Sequence, residues 1–191
     1  MIDKCKNVKG YFKIDVIKDG KIIDTFEKEN LIMDNARYTF AKYLANINNT
    51  PVIDRFVLGT EGNVGAGTPG GGDLLSPKTD VDGFVSSRQM LFSEATGTKG
   101  VNYEDILFTV TGVSGDTVTA NDGLSTVKCT VEGTSVIYEI MIANGSANGP
   151  GTMVYTECAF YTGSSIFSMR TFKGKIKDDT VSLKITWKIL F

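Results

Sequence analysis

The sequence predicts a mainly β fold, an antiparallel β-sandwich of jelly-roll-like form with one α-helix packed on the sheet. Three observations lead there. Apolar and polar residues alternate over many short runs, the period of a half-buried strand. Glycine, at 21 of 191 residues, exceeds average usage and, with Asp and Asn, separates those runs as turns do. A single segment spaces its apolar residues as a helix would, and many short strands with one helix indicate a sandwich or barrel. A chain of 191 residues suits one domain, here 1–191, and can bury about two thirds of its unfolded surface.

The elements follow in order. Residues 9–28 read as a hairpin about Asp19-Gly20, a dipeptide that favours the positive φ angles of tight turns. A plain two-residue loop would set Asp15 opposite Asp24, and facing like charges destabilise a ladder, so a three-residue loop with a bulge is expected. A helix is expected over about 34–46, with Asp34 capping its first turn. Its stripe of Ala36, Phe40, Tyr43 and Leu44, continued by Ile47, is expected to pack on the sheet. A strand at 52–59 leads into a glycine-rich stretch, 59–73, expected to be a mobile loop. Further strands are predicted near 84–92, 103–111, 125–132, 135–143, 153–161, 165–173 and 180–191. In the last, Val181, Leu183, Ile185, Trp187 and Ile189 alternate with Ser182, Lys184, Thr186 and Lys188, and Leu190 breaks the pattern. So apolar a strand is expected to pair inside a sheet.

Composition narrows the function. A net charge of −2 with mixed signs offers no basic field, so neither nucleic acid nor a membrane surface is an expected partner. No apolar run is long enough for a signal h-region or a membrane span, which predicts a chain that begins in a cytosol. Cys5, Cys129 and Cys158 lack metal-site or redox spacing and are expected to be reduced, structurally silent thiols. The absence of histidine removes the commonest general base and transition-metal ligand together, so no metal, cofactor or catalytic residue is predicted.

Several motifs carry a formal chemical signature. "GAGTPG" at 65–70 spells a dinucleotide fingerprint, but Pro69 interrupts it, no βαβ unit surrounds it, and no P-loop Lys-Ser/Thr follows. "DVDG" at 80–83 and "NDG" at 121–123 lack the spaced carboxylates of a calcium loop and read as turns. "NGS" at 144–146 matches a glycosylation acceptor without the leader that would present it. The 22 acidic residues permit a carboxylate pair of the kind glycoside hydrolysis needs, without singling one out. A two-residue turn at Gly163-Ser164 would set Phe160 opposite Phe167, Cys158 opposite Met169 and Glu157 opposite Arg170, the last as a structural cross-strand ion pair.

"GYFKIDVIKDGKIIDTFEKENLIMDNARYTFAKYLA", then "FVLGT", then "YTECAFYTGSSIFSMRTFKGKIKDDTVSLKITWKILF" resembles small virion proteins of tailed bacteriophages. The matching positions are Asn30, Leu31, Ile32, Leu58, Gly59, Thr60, Glu157, Phe160, Arg170, Trp187 and Phe191, within about the first 60 and last 40 residues. Cys158-Ala159 stands where that family often has glycine. The resemblance implies a non-enzymatic component of the particle (tail, neck, fibre or capsid decoration), present in symmetric copies and located in the virion after assembly in the host cytoplasm. The expected partners are other copies of the chain and other virion proteins, with Leu190, Phe191, Asn63 and Val64 as candidate subunit contacts. Two alternatives remain open at this point: a module binding a host surface glycan, with Tyr103, Tyr138 or Tyr155 stacking on sugar, and a carboxylate-based glycoside hydrolase.

Overall fold

The structure is a computed structural model that describes residues 9–32, 34–47, 52–60, 98–163 and 165–191. Ten strands and one helix succeed one another as β1 (Lys9–Lys18), β2 (Lys21–Ile32), α1 (Asp34–Leu44), β3 (Ile53–Gly59), β4 (Tyr103–Leu107), β5 (Thr117–Thr119), β6 (Thr126–Glu132), β7 (Ser135–Ile142), β8 (Met153–Thr162), β9 (Ser165–Lys177) and β10 (Val181–Leu190). They form two antiparallel sheets consistent with a sandwich. The first runs β5-β6-β7-β10-β1-β2 and the second β9-β8-β3-β4, and the last residues of β2 join the two by pairing Leu31 with Met169 and Ile32 with Ser168.

β10 is the most regular element and explains itself. Val181, Leu183, Ile185, Trp187 and Ile189 are buried, and the intervening residues are half-buried. With β1 on one side and β7 on the other, every main-chain group has a ladder to join. Its inward row meets the second sheet through aromatic rings. Trp187 lies 4.8 Å from Phe160 of β8, 5.1 Å from Phe12 of β1 and 6.2 Å from Phe56 of β3, centroid to centroid. Such tilted and edge-on geometries suit the ring quadrupoles. Phe26 and Phe172 extend the cluster from Phe12 at 6.3 and 5.7 Å.

The first hairpin turns as its dipeptide predicts, with positive φ at Asp19 (49°) and Gly20 (72°). Its loop has two residues rather than the expected three, because Lys18 pairs with Lys21 and Ile17 with Ile22. The bulge comes one step later: Ile23 is the extra residue, and the register beyond it sets Val16 opposite Asp24 and Asp15 opposite Thr25. The charge conflict is thereby removed. Asp15, almost fully buried, accepts hydrogen bonds from Thr25 Oγ1 and Lys13 Nζ, each at 2.7 Å, and Asp24 meets the buried Lys175 Nζ at 2.5 Å.

The second hairpin also slips. Thr162 pairs with Ser165 and Tyr161 with Ile166 around a turn whose Gly163 has φ 58°. An irregularity between Phe160 and Tyr161 then shifts the register by one, so Phe160 faces Ser168, Cys158 faces Arg170 and Glu157 faces Thr171. The expected facing of Phe160 with Phe167, Cys158 with Met169 and Glu157 with Arg170 is therefore corrected. Both faces of β8 and β9 are buried here, and the bulge re-aims side chains between two clusters. Phe160 and Phe167 enter the aromatic core, while Ala159, Tyr161, Ile166 and Met169 join Val57 in a smaller cluster.

Three other boundaries move. β4 ends at Leu107, short of 111, because Leu107 N turns to Asn121 Oδ1 and Phe108 N to Asp54 O. β5, only Thr117–Thr119, is too short to show a period and was not foreseen. Helix α1 stops at Leu44, near the expected end, but only its first half packs as expected. Ala36 and Thr39 are buried, whereas Tyr43 and Ile47 are about half exposed and Leu44 is 90% exposed. The predicted strand at 84–92 and most of the 59–73 loop lie outside the described residues.

Trp187→Ala empties the ring that touches both sheets and should cost about 3–5 kcal/mol in urea unfolding followed by far-ultraviolet circular dichroism. Leu44→Ala should cost less than about 0.5 kcal/mol in the same assay, as an exposed side chain does.

Candidate functional site

An apolar groove lies at the end of the sandwich where α1 sits. Phe40 and Tyr43 of α1 form one wall. Ile53 opens β3, Val136 and Phe167 lie near the starts of β7 and β9, and Phe191 follows β10 to close the other side. All these strands start or end at this edge because consecutive antiparallel strands alternate direction. The volume is about 260 Å³. Ligand pockets usually hold about 300–1,000 Å³, so the space suits an apolar side chain better than a metabolite.

Ring packing shapes the groove. Phe40 stands edge-on to Phe167 at 5.5 Å and to Phe191 at 4.8 Å. The backbone holds Phe191 in place, its N–H donating to Thr134 O at 3.0 Å. Around the mouth, Leu44, Ile47, Val52 and half of Phe191 remain exposed. Two phenols line the walls, Tyr43 and Tyr138, and burial pushes both hydroxyls above their ordinary range. Neither can act as a base near neutral pH, and among the described residues no carboxylate or amine lines the groove.

Two polar clusters clamp one connection. Between β7 and β8 the chain crosses from one sheet to the other through residues 143–152. Asp122 accepts hydrogen bonds from Leu124 N (3.0 Å), Ser125 N (2.8 Å), Ser125 Oγ (2.5 Å) and the Ser146 hydroxyl. Burial alone would raise its pKa, but these donors outweigh it and bring the carboxyl down to about 2. Lys177, fully buried, donates from Nζ to Asn144 O (3.1 Å), Asp178 O (2.9 Å) and Asn148 Oδ1. Burial pulls its amine down to about 8, against the pull of Asp178 and Asp179. Tyr155 Oη donates to Ala147 O at 2.7 Å from the same side.

The expected site residues disperse. Glu157 is fully buried, and Arg170 donates from Nη1 to Glu29 O at 2.8 Å. Leu190 is half-buried, Phe191 lines the groove, and Asn63 and Val64 lie outside the described residues, as do Cys5, 65–70 and 80–83. Of the tyrosines considered for sugar stacking, Tyr138 and Tyr155 are buried and only Tyr103 reaches partial exposure, so they form no common platform. Burial raises the carboxyl of Glu104, but neighbouring Asp105 alternates to the other face of β4 and sits 3.8 Å from Arg55. That geometry does not flank a glycosidic bond.

Among the described residues no group of three or more His, Cys, Asp or Glu is placed to hold a metal ion, and no helix is long and apolar enough to cross a membrane. No protein-family model, curated protein or solved structure matches the chain.

Both clamps make stability rise with pH, in two separate windows. Asp122, lowered in the folded state, contributes stability above its unfolded pKa and loses it as pH falls from about 4 to about 2. Asp122→Asn should flatten that acid limb in urea midpoints. Lys177, also lowered, binds fewer protons when folded, so it adds stability as pH rises from about 8 to about 10.5. Lys177→Met should remove that alkaline rise.

Proposed function

We propose that this chain is a non-enzymatic structural component of a tailed-phage virion that works in symmetric copies through protein-protein contacts. The observation that carries the reading is the groove with its rim: Leu44, 90% exposed, stands beside Ile47, Val52 and Phe191 above an apolar slot of about 260 Å³. Such a surface suits the apolar side chain of a neighbouring subunit, with a polar edge to exclude water. Lys42, lying 4.2 Å over the Tyr38 ring, supplies a charged margin on the same helix. The resemblance of the first 60 and last 40 residues supplies the kind of particle, and Phe191, one of its matching positions, is part of the groove wall.

In this reading the partners are other copies and other virion proteins, the location is the virion, and no nucleic acid or membrane takes part. Glycan recognition and glycoside hydrolysis have less support, since the tyrosines considered for one are mostly buried and no carboxylate pair spans a cleft in the described residues.

Sedimentation of purified protein, alone and with co-expressed virion proteins, tests this. Association is expected, and Leu44→Ser should weaken it about tenfold or more while leaving the unfolding midpoint unchanged, in keeping with a truncated contact of at least about 1.4 kcal/mol. A wild-type protein that stays monomeric and ignores every virion component would overturn the reading.

A further inference from the structure

We infer that Lys177 and Asn148 are a self-reacting pair, whose side chains join in an amide link between the end of β9 and the connection from β7 to β8. The inference concerns chemistry inside one subunit and stands apart from the proposed assembly.

The geometry brings an amine and a carboxamide together away from bulk water. Lys177 is fully buried, and its Nζ lies 2.5 Å from Asn148 Oδ1. The carbon Cγ, one carbonyl bond farther, is therefore within about 3.7 Å of the nitrogen, close to the near-attack range of about 3–3.5 Å. Both partners are held. Asn144 O accepts from Lys177 Nζ at 3.1 Å and from Asn148 Nδ2 at 2.8 Å, so one main-chain carbonyl sets the nucleophile and the leaving group side by side. Asp178 O, at 2.9 Å, takes another N–H of the ammonium.

The amine must first lose a proton. Asp178 and Asp179 favour the ammonium, but burial outweighs them and brings Lys177 down to about 8, so near neutral pH about a tenth of the molecules carry a free lone pair. The two main-chain carbonyls can only accept, so they keep the two remaining N–H groups, and the lone pair is left on the side of Asn148. A desolvated lysine in that state is a nucleophile.

The step balances within the pair. The Nζ lone pair bonds to Cγ as the carbonyl π electrons move onto Oδ1, and a proton passes from Nζ to Nδ2. The carbonyl then re-forms as the Cγ–Nδ2 bond breaks, and ammonia leaves. No oxidant, reductant or other reactant takes part. The product closes residues 148–177 into a covalent ring that contains β8 and nearly all of β9. The hydrogen-bonded pair is the reactant, and the alkaline gain assigned to Lys177 belongs to that free amine.

Intact-mass spectrometry of the full chain, held at about pH 9 so that most of the amine is neutral, tests the pair. Wild type is expected to lose the mass of one ammonia with time, and its tryptic digest to contain a branched peptide carrying both Asn148 and Lys177. Lys177→Met and Asn148→Ala should form no such peptide, with near-ultraviolet circular dichroism, which reads Trp187 in the core, verifying that each is folded. If either variant fails to fold, the wild-type digest decides alone. Asn144 and Asn148 both precede glycine, so cyclisation onto the next main-chain N–H also expels ammonia. Loss of ammonia without a branched peptide therefore overturns the inference, and so does a wild type that keeps its full mass.

Discussion

Contact between Trp187 and the opposite sheet is the constraint on which the remaining architecture depends. A sandwich holds only if the inner faces of its sheets fill the space between them, and here one indole touches Phe12 within its own sheet and Phe56 and Phe160 across it. Its Nε1 is buried with no acceptor among the described residues. An unpaired buried donor costs about 1–3 kcal/mol, which the large apolar area of the ring and its neighbours offsets. Because β10 lies between β1 and β7, anything that moved the ring would also disturb two ladders at once.

The bulges at Ile23 and beside Phe160 follow from the same demand. A strand buried on one face needs strict alternation, but β2 and β9 must serve different surroundings along their length. β2 leaves its hairpin partner to touch β9, and the extra residue at Ile23 increases the local twist while separating Asp15 from Asp24. β9 is buried on both faces beside β8, and its slip lets Phe167 face the main core while Ile166 and Met169 face the smaller cluster. Irregular pairing is how one strand satisfies two cores.

Much of this was legible in the residues. The alternation from Val181 to Ile189, the Asp19-Gly20 turn and the Gly163 turn each encode local structure through period or allowed φ, and each reappears in place. Bulge positions were hidden because an inserted residue changes pairing without changing composition. Facing of Glu157 with Arg170 failed for that reason, one slip from the turn. Leu44 differs: its spacing is that of a core residue, yet it stands 90% exposed with no described residue covering it. The groove was the least legible feature. Its walls come from residues as far apart as Phe40, Val136 and Phe191, and only the terminal aromatic, flagged as a subunit contact, pointed toward it.

The polar clamps and the apolar groove lie at opposite ends of the sandwich. Crossing from β7 to β8 exposes main-chain carbonyls that no strand can satisfy, and Lys177 and Tyr155 donate to them at Asn144 and Ala147, while Asp122 holds the same loop through Ser146. Ala147 accepts a positive φ of 55° within this framework, and Gly149, at 54°, has no room for a Cβ, which would lie 2.5 Å from Gly100 O. Ionisable groups with displaced pKa values often mark chemistry, yet a group whose every neighbour is a fixed hydrogen-bond partner has no free valence to offer a substrate. At the other side of the sandwich the reverse holds: exposed Leu44, Ile47 and Val52 surround space that no described side chain fills. The body is stiffened where the chain crosses between sheets, while its apolar groove stays unfilled by any described side chain.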